Sequence, residues 1–252
     1  ICIVQARYSS YRFLGKILKK INKNLTVLEF LIERLKKSKL ISRIVIACSD
    51  NPKDAPIIRI CKKRNVSYFV GSEKNVLDRY YKAASKFKAD AIVRITGDCP
   101  LVDPKLVDNI LKYFIKKKAD YVSNTLTPTF PDGLDIEIFS FDALKKTHRQ
   151  AKWSSEREHV TPFIVKNQDL FRVYNYRNKQ DLSNLRWCVD EEDDLLMVKQ
   201  IFHEMITEQF FSTADIIDLI SKNPKIAEIN KNIKTNEGYK KSLKKDKLIK
   251  QE

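Results

Sequence analysis

Short apolar runs alternate with amphipathic stretches through the first half of the chain. The runs have the length and β-branched content of buried strands, whereas the stretches between them repeat apolar positions every three or four residues. The predicted strands are residues 1–6, 43–48, 66–70 and 89–95. The predicted helices are residues 26–37, 54–64, 76–87 and a fourth that begins at Asp103 and Pro104. This alternation predicts an α/β fold with a mostly parallel sheet, flanked by helices and joined by right-handed crossovers.

The rhythm changes after residue 120. Residues 126–133 (LTPTFPDG) hold two prolines and a glycine and are predicted to form a loop. Strands are predicted at 121–124, 134–139, 172–176 and 185–189, and helices at 141–150, 155–165, 191–205, 213–221 and 224–230. We therefore expect a main domain over residues 1–205, a helical extension over 206–233, and a basic tail over 234–252 with the charge density of a mobile segment.

The composition is that of a globular protein. Hydrophobic residues make up 43% of the chain and charged residues 32%. No apolar run approaches the roughly 18 residues that a membrane span needs. The first residues lack the pattern of a secretory signal peptide, and the five cysteines show no C-x-x-C spacing, so we expect a cytoplasmic protein with reduced thiols. Because Ile1 already lies inside a predicted strand, we expect a few residues to precede it.

Positive charge is concentrated in two regions. The formal net charge is +16, of which residues 1–40 carry +8 and residues 234–252 carry +4. Such a balance suits nucleic acid, an anionic membrane surface or a small polyanionic substrate, and a Lys- and Ile-rich composition alone would also produce it. No nucleic-acid-binding motif is present, so we expect no specific nucleic acid partner.

The first candidate site is the loop at 5–16 (QARYSSYRFLGK), directly after the first predicted strand. Arginine forks fit phosphate oxygens, lysine adds a point charge, and glycine lets the backbone approach a ligand. The pattern is not that of a P-loop, because G-x-x-x-x-G-K-[ST] is absent. A triphosphate site and a solvated basic loop are both compatible with these residues.

Two carboxylates follow predicted strands in positions suited to a metal ion. Asp98 lies in RITGDCPLVDP after the fourth strand, and Asp190 ends RWCVD just before an acidic helix start. The carboxyl ends of parallel strands form the ligand edge of such a sheet, where carboxylates can hold a hard cation that bridges substrate phosphates. The alternative is that Asp98 braces a turn and that the acids after Asp190 complement a helix dipole.

Two further motifs carry weaker signals. The segment 130–137 (FPDGLDIE) contains an ordinary turn signal, and the segment 155–162 (SEREHVTP) places His159 in a helix-like stretch. A lone histidine is more often a structural residue than a catalyst. The residues alone therefore assign no chemistry to either segment.

In chain order, these motifs resemble a known family. The loop 5–16 is followed by ACSD ending at Asp50, VLDR at 76–79, RITGDCP, PDGLDIE, SEREHVTP and WCVDE. This collinear set resembles the spore-coat polysaccharide biosynthesis cytidylyltransferase family, which is related to CMP-KDO and CMP-N-acylneuraminate synthetases. The resemblance runs through about residue 200, and NEGYKKSL near the end of the chain is similar to the family's C-terminal extension.

The resemblance implies a nucleotide-diphospho-sugar transferase-like fold, with a small dimerisation and substrate lobe at 120–175, and a homodimer. It implies transfer of CMP from CTP to a nonulosonate-like sugar acid with release of pyrophosphate, and Mg²⁺ as cofactor. Carried over by position, it implies catalytic roles for Arg12, Lys16 and Asp98, with Asp98 and Asp190 as metal ligands. It implies nucleotide binding by Gln5, Arg7, Ser10, Gly15, Ser49, Asp50 and Arg79. It implies acceptor binding by Asp132, Glu137, Arg157 and His159.

The chain departs from the family in its first loop. The related loop usually reads STRLPGK, whereas here Tyr11 replaces the threonine and Phe13 and Leu14 replace leucine and proline. A member that binds nucleotide without turnover therefore stays open. Two other classes stay open as well: a glycosyltransferase of the same fold that uses a nucleotide-sugar donor, although its usual D-x-D pair is absent, and a non-enzymatic polyanion-binding protein.

Overall fold

A seven-stranded sheet forms the centre of the molecule in a computed structural model, which describes residues 1–205, 210–235 and 237–249. Its strands are β1 (Cys2–Gln5), β2 (Ile44–Ser49), β3 (Ser67–Gly71), β4 (Ala91–Thr96), β5 (Tyr121–Ser123), β6 (Glu137–Ser140) and β7 (Val173–Asn175). They stand in the order β3-β2-β1-β4-β6-β5-β7. β6 runs antiparallel to β4 and β5, and every other pair is parallel. The prediction of a mostly parallel sheet is confirmed.

Helices cover both faces of this sheet. The first four connect the parallel strands in the predicted alternation: α1 (Val27–Leu35), α2 (Ala55–Lys63), α3 (Val76–Lys86) and α4 (Pro104–Lys117). Then come α5 (Phe141–Gln150), α6 (Ser154–His159), α7 (Pro162–Lys166) and α8 (Glu192–Glu204). The last described helices are α9 (Thr213–Lys222), α10 (Lys225–Glu228) and α11 (Glu237–Lys244). None of the described helices is long and apolar enough to cross a bilayer.

Alternation along β1 explains why both faces need a cover. Cys2 and Val4 are fully buried in the core that contains α1 and α4, whereas Ile3 is fully buried in the opposite core, which contains Leu77 of α3. Burying one aliphatic side chain of this kind stabilises the fold by about 1.5–3 kcal/mol. The central strands are therefore held from both sides, and the loops that follow β1 and β4 start from fixed points.

Two predicted strands differ from the structure. Residues 185–189 run as an extended segment whose bridge joins Arg186 to Asp132, and β6 begins at Glu137 rather than at residue 134. The cause is Gly133, which has a φ of 105° and crosses the segment so closely that a Cβ there would lie 2.4 Å from the Cys188 nitrogen. The two segments therefore cross at close range and share a single bridge instead of pairing as strands. Asp190 follows directly after this crossing.

The helix predicted over 155–165 is interrupted at Val160, whose φ is 74°. α6 ends at His159, and α7 begins three residues later at Pro162. Pro162 has no backbone N–H to donate, and its ring would clash with the carbonyl four residues earlier in a continuous helix, so one helix could not pass this point. The break leaves His159 at the end of α6.

The tail predicted to be mobile contains α11 instead. The Asp246 carboxylate accepts hydrogen bonds from the Ser155 N–H and the Ser154 hydroxyl, both at 2.9 Å, which joins the segment after α11 to the start of α6. Residues 237–249 thus contain a helix and contacts with α6, and the mobility of the tail stays a prediction. Parts of the predicted extension and tail, residues 206–209, 236 and 250–252, lie outside the described residues. The 120–175 lobe as a dimerisation unit and the homodimer stay predictions.

Candidate active site

The loop after β1 is shaped by Gly15. Its φ of 66° is in the left-handed region, its N–H donates to the Tyr8 carbonyl at 3.0 Å, and a Cβ at this position would lie 2.8 Å from the Tyr8 ring. Only glycine adopts this conformation without strain. The turn leads directly into a short 3₁₀ helix at Lys16–Leu18, so the Lys16 side chain starts at the edge of the sheet where β1 and β4 end.

The structure brings Asp98 and Asp190 together on one cation. The Lys16 ammonium donates to Asp190 Oδ1 at 2.6 Å and also to Asp98 Oδ2. These carboxylates are 92 positions apart in the chain, and both follow the segments that the sequence singled out. Burial acts to lower the pKa of Lys16, but the two carboxylates raise it above its usual range, so the lysine stays charged. Two anions and one cation thus meet at a single point.

Two arginines complete this cluster around Asp190. Arg12 Nη2 lies 2.6 Å from Asp190 Oδ2, and Arg186 Nη2 lies 3.0 Å from the same oxygen. Burial acts to raise the pKa of Asp190, but Lys16, Arg12 and Arg186 lower it to about 2. The Asp190 carboxylate is therefore ionised throughout the physiological range.

A cavity of about 290 Å³ opens beside the cluster. Many of the predicted site residues line it: Gln5, Arg7, Ser10, Arg12, Lys16, Arg79, Asp98, His159 and Asp190. Two guanidinium nitrogens of residues that line it, Arg12 Nη1 and Arg79 Nε, are buried without a hydrogen-bond partner in the described part of the chain, although Arg12 Nη1 lies 4.0 Å from Glu191 Oε1. A buried unpaired donor is costly, so a wall with two such donors is suited to an anionic ligand.

Ser49 and Asp50 do not line this cavity, and their predicted nucleotide contact stays a prediction. Ser49 is buried, and its hydroxyl donates to Asp54 Oδ2 at 2.6 Å. Asp50 is exposed at the start of the following turn. Asp54, which the sequence reasoning missed, also accepts the Tyr8 N–H at 2.7 Å. Asp54 therefore joins the first loop to the end of β2. The second aspartate of SDNPKD was the sequence signal available for this role.

Three of the four predicted acceptor residues are engaged inside the protein instead. Glu137 accepts from the Tyr121 and Thr161 hydroxyls, each at 2.6 Å, and pairs with Arg94. Arg157 donates from two nitrogens to the Ala151 carbonyl at 2.8 and 3.1 Å.

The Asp132 carboxylate lies 2.6 Å from Arg186 Nη1. None of Asp132, Glu137 and Arg157 lines the cavity, and their predicted contact with the acceptor stays a prediction. Of the predicted acceptor residues only His159 reaches it. Burial lowers the pKa of His159, so its imidazole is neutral near pH 7.

Sequence reasoning also missed the roles of Arg186 and Asp135. Arg186 is buried and holds Asp132, Asp190 and Asp194 at once, with Asp194 Oδ1 2.9 Å from its Nε. Burial raises the pKa of Asp135 to about 7, and the neighbouring Asp132 adds to the shift. Both residues stood in motifs already singled out, RWCVD and PDGLDIE, but spacing alone does not reveal which charge is buried.

The donor set suits a hard divalent cation that shares its ligands with a substrate. Among the described residues, no group of three or more His, Cys, Asp or Glu side chains could hold a metal by itself. Asp98 and Asp190 supply carboxylate oxygens at one point. Magnesium is commonly bound through one or two carboxylates, with water and substrate phosphates filling the other positions. Two converging carboxylates therefore fit the ion, provided that a phosphate ligand is present.

Comparison with known proteins gives a consistent result. A family model described as Cytidylyltransferase matches residues 1–236. The spore coat polysaccharide biosynthesis protein SpsF of Bacillus subtilis is 31% identical over 232 residues, which cover 89% of this chain and 95% of that protein. A cytidylyltransferase structure from Leptospira borgpetersenii is 34% identical with a TM-score of 0.87, covering 92% of this chain and 97% of that one.

A more distant neighbour supports the fold alone. The structure of CMP:2-keto-3-deoxy-manno-octonic acid synthetase complexed with CTP is 14% identical, with a TM-score of 0.62, over 81% of this chain and 98% of that chain. The neighbours agree with the predicted nucleotide-diphospho-sugar transferase fold. Because the family model spans nearly the whole sequence, this chain belongs to the cytidylyltransferase family and is a nucleotidyltransferase.

Proposed function

We propose that this protein transfers CMP from CTP to a hydroxyl of an acidic, nonulosonate-like sugar and releases pyrophosphate, as a step in surface polysaccharide biosynthesis. The observation that carries the proposal is the meeting of Asp98 and Asp190 at the Lys16 ammonium, in the wall of a cavity that also contains unpaired arginine donors. The names of SpsF and of the CTP-bound synthetase support the pathway and the nucleotide.

The first loop supplies the cations for the triphosphate. Arg7, Ser10, Arg12 and Lys16 all line the cavity, and bidentate arginines and a lysine ammonium are the usual partners of phosphate oxygens. Gln5 and Arg79 line the same cavity and would contact the cytidine or its ribose. The Gln5 side chain is already oriented, because its Oε1 accepts from Arg94 Nη2 at 3.0 Å.

Asp98 and Asp190 would hold Mg²⁺, which when bound supplies charge neutralisation at the triphosphate. The Lys16 ammonium lies within hydrogen-bonding distance of both carboxylates, so it would have to share them or move toward the phosphates. The Lys16 charge suits both positions, because after a move toward the nucleotide a phosphate oxygen would accept the hydrogen bond that a carboxylate oxygen accepts now. Lys16 therefore couples the metal ligands to the nucleotide.

The reaction is an in-line displacement at the α-phosphorus. The acceptor hydroxyl oxygen forms the new bond to phosphorus, the bond from the α-phosphorus to the oxygen that bridges the β-phosphate breaks, and the products are the CMP-sugar, pyrophosphate and a proton. Arg12 and Lys16 stabilise the charge that develops on pyrophosphate. No protein group needs to form a covalent intermediate, so positioning and electrostatics carry the catalysis.

A nucleotide and acceptor screen tests the proposal. The protein is incubated with Mg²⁺, one of CTP, UTP, ATP or GTP, and a panel of sugar acids, with pyrophosphate release and product mass as readouts. CTP with one sugar acid should give pyrophosphate and a product heavier than the acceptor by a cytidylyl group. The Asp98→Asn variant is the matched control. Pyrophosphate release no greater than that of the control with every pair, or product formation only from a nucleotide sugar, would contradict the proposal.

A further inference from the structure

The segment at 237–249, termed here the C-terminal clamp, contacts α6 both near its start and at its end. Beyond α11, the Ser154 N–H donates to the Lys247 carbonyl at 2.9 Å, and the Ile249 N–H donates to the Lys152 carbonyl at 2.8 Å. The Asp246 carboxylate adds the bonds to Ser154 and Ser155 described above. The clamp is thus held by backbone pairing and by the two oxygens of the half-buried Asp246 carboxylate.

The helical part of the C-terminal clamp is attached to the end of α6. The Ser242 hydroxyl lies 2.9 Å from His159 Nε2 and 2.9 Å from Glu158 Oε2. The Tyr239 ring meets the His159 ring edge to face, with centroids 5.0 Å apart. Because His159 itself lines the cavity, these contacts fix α11 at the cavity mouth.

α11 is one wall of the cavity. Glu237, Gly238 and Lys241 line it, and a Cβ built on Gly238 would meet no atom within 4 Å. The cavity of about 290 Å³ measured with this wall in place is at the lower end of the range of about 300–1,000 Å³ that is common for ligand pockets. Open space in front of Gly238 leaves room for a ligand against the helix.

Lys241 faces the first loop at the residue that departs from the family pattern. Its ammonium lies 3.5 Å from the centroid of the Tyr11 ring, a cation–π distance, and Tyr11 is otherwise 90% exposed. No carboxylate of the described residues lies within 4.0 Å of this ammonium, whereas Lys16 and Arg12 are already paired with Asp98 and Asp190. Tyr11 therefore positions a cation that has no anionic partner within the described protein.

We infer that Lys241 is a further triphosphate-binding residue, delivered to the cavity by the C-terminal clamp and positioned by Tyr11. Tyr11 stands between Ser10 and Arg12 in the loop that is proposed to hold the phosphates, so the nearest ligand anion is a phosphate oxygen. The inference rests on the proposed function, because it requires a nucleoside triphosphate in this cavity. It assigns a role to the basic segment at the end of the chain and to a loop residue that the family motif leaves unexplained.

Calorimetric titration of CTP and CMP into the full chain with Mg²⁺ tests this role. Lys241→Met should raise the Kd for CTP about tenfold, since one charge-assisted contact is lost, and should change the Kd for CMP much less. Lys241→Arg should restore most of the CTP affinity. Asp246→Asn should weaken CTP in the same direction, because it loosens the clamp without removing the cation.

Lys240→Met is the matched control, since Lys240 is an exposed neighbour in α11 that does not line the cavity. Its CTP affinity should equal that of the wild-type chain. Equal CTP binding by the Lys241→Met and Lys240→Met variants would overturn the inference, as would an unchanged CTP Kd with a raised KM for the sugar acid. Wild-type protein that binds no nucleoside triphosphate would count against the proposed function itself.

Discussion

Two charge clusters lie along β4 and just beyond its end, and they differ in whether they border a cavity. Within β4, Arg94 pairs with Glu137, whose second oxygen accepts from Tyr121 and Thr161. Beyond β4, Asp98 and Asp190 share Lys16 at the wall of a cavity. The side chains of Arg94 and Glu137 are 12% and 10% exposed, whereas Asp98 is 24% exposed.

The comparison indicates that access to a cavity, rather than the number of charge partners, separates a structural ion pair from a candidate catalytic one. Both clusters contain a basic residue and at least one carboxylate at close range. The Glu137 oxygens have their partners inside the protein, so a ligand there would have to displace them. The Asp98 cluster borders open volume and unpaired arginine donors, so a ligand adds contacts without breaking the fold.

The largest expected effect follows from removing charge at the open cluster. Asp98→Asn should lower kcat at least about 100-fold, because the proposed metal ligand and the acceptor for Lys16 are both weakened. Thermal unfolding should stay within a few degrees of the wild type, since Asp98 is partly exposed. Pyrophosphate release and a melting curve measure the two outcomes. Wild-type turnover by this variant would remove Asp98 from the proposed mechanism.

The closed cluster should respond in the opposite way. Glu137→Gln leaves Arg94 charged and without its buried partner, so the free energy of unfolding should fall by about 3 kcal/mol. For a chain of this length that loss lowers Tm by about 6–12 °C. The kcat of the folded fraction should stay close to wild type. Chemical denaturation and steady-state kinetics check this pair, and a large loss of kcat at unchanged Tm would make Glu137 a ligand contact after all.

The smallest expected effect is a pH dependence of stability at the open cluster. The folded-state pKa of Asp190, about 2, lies below its ordinary value of 3.8, so its contribution to stability is present above about pH 4 and is lost as the pH falls toward 2. Asp190→Asn should remove about 2 kcal/mol of this dependence. Urea unfolding across that interval measures it. The exposed neighbour Asp193 provides the control variant, Asp193→Asn, which should keep the wild-type slope.

Strand order and strand ends account for the part of the site that sequence reasoning reached. Once β1 and β4 are neighbours in a parallel sheet, the loop at 5–16 and Asp98 must lie at one edge, and the structure places them there. The pairing of Asp98 with Asp190 followed from the same geometry, although residues 185–189 are not a full strand. The alternation of strands and helices can be derived from apolar periodicity, and a single sequence is enough to show that periodicity.

The missed parts depend on contacts that periodicity does not encode. Glu137 and Arg157 look like site residues in the sequence, because the partners that saturate them come from distant segments. The Lys-rich composition of 237–249 suggested mobility, because the bonds of Ser242 and Asp246 to α6 are invisible in composition. Polar side chains such as these hold a segment in place through partners that are distant in the sequence. Their contribution can therefore be recognised only in the tertiary structure.

The backbone pairing of Lys247 and Ile249 with residues at the start of α6 affects where a label can be attached to this protein. A purification tag or fluorescent fusion attached to the segment after α11 could disturb its backbone pairing with α6, and α6 ends at His159 in the cavity wall. The nitrogen of Ile1 instead donates to the Ala91 carbonyl at 2.9 Å, at the end of β1 that lies opposite the cavity. A label on that side of the sheet should therefore disturb the cavity less than a label on the segment after α11.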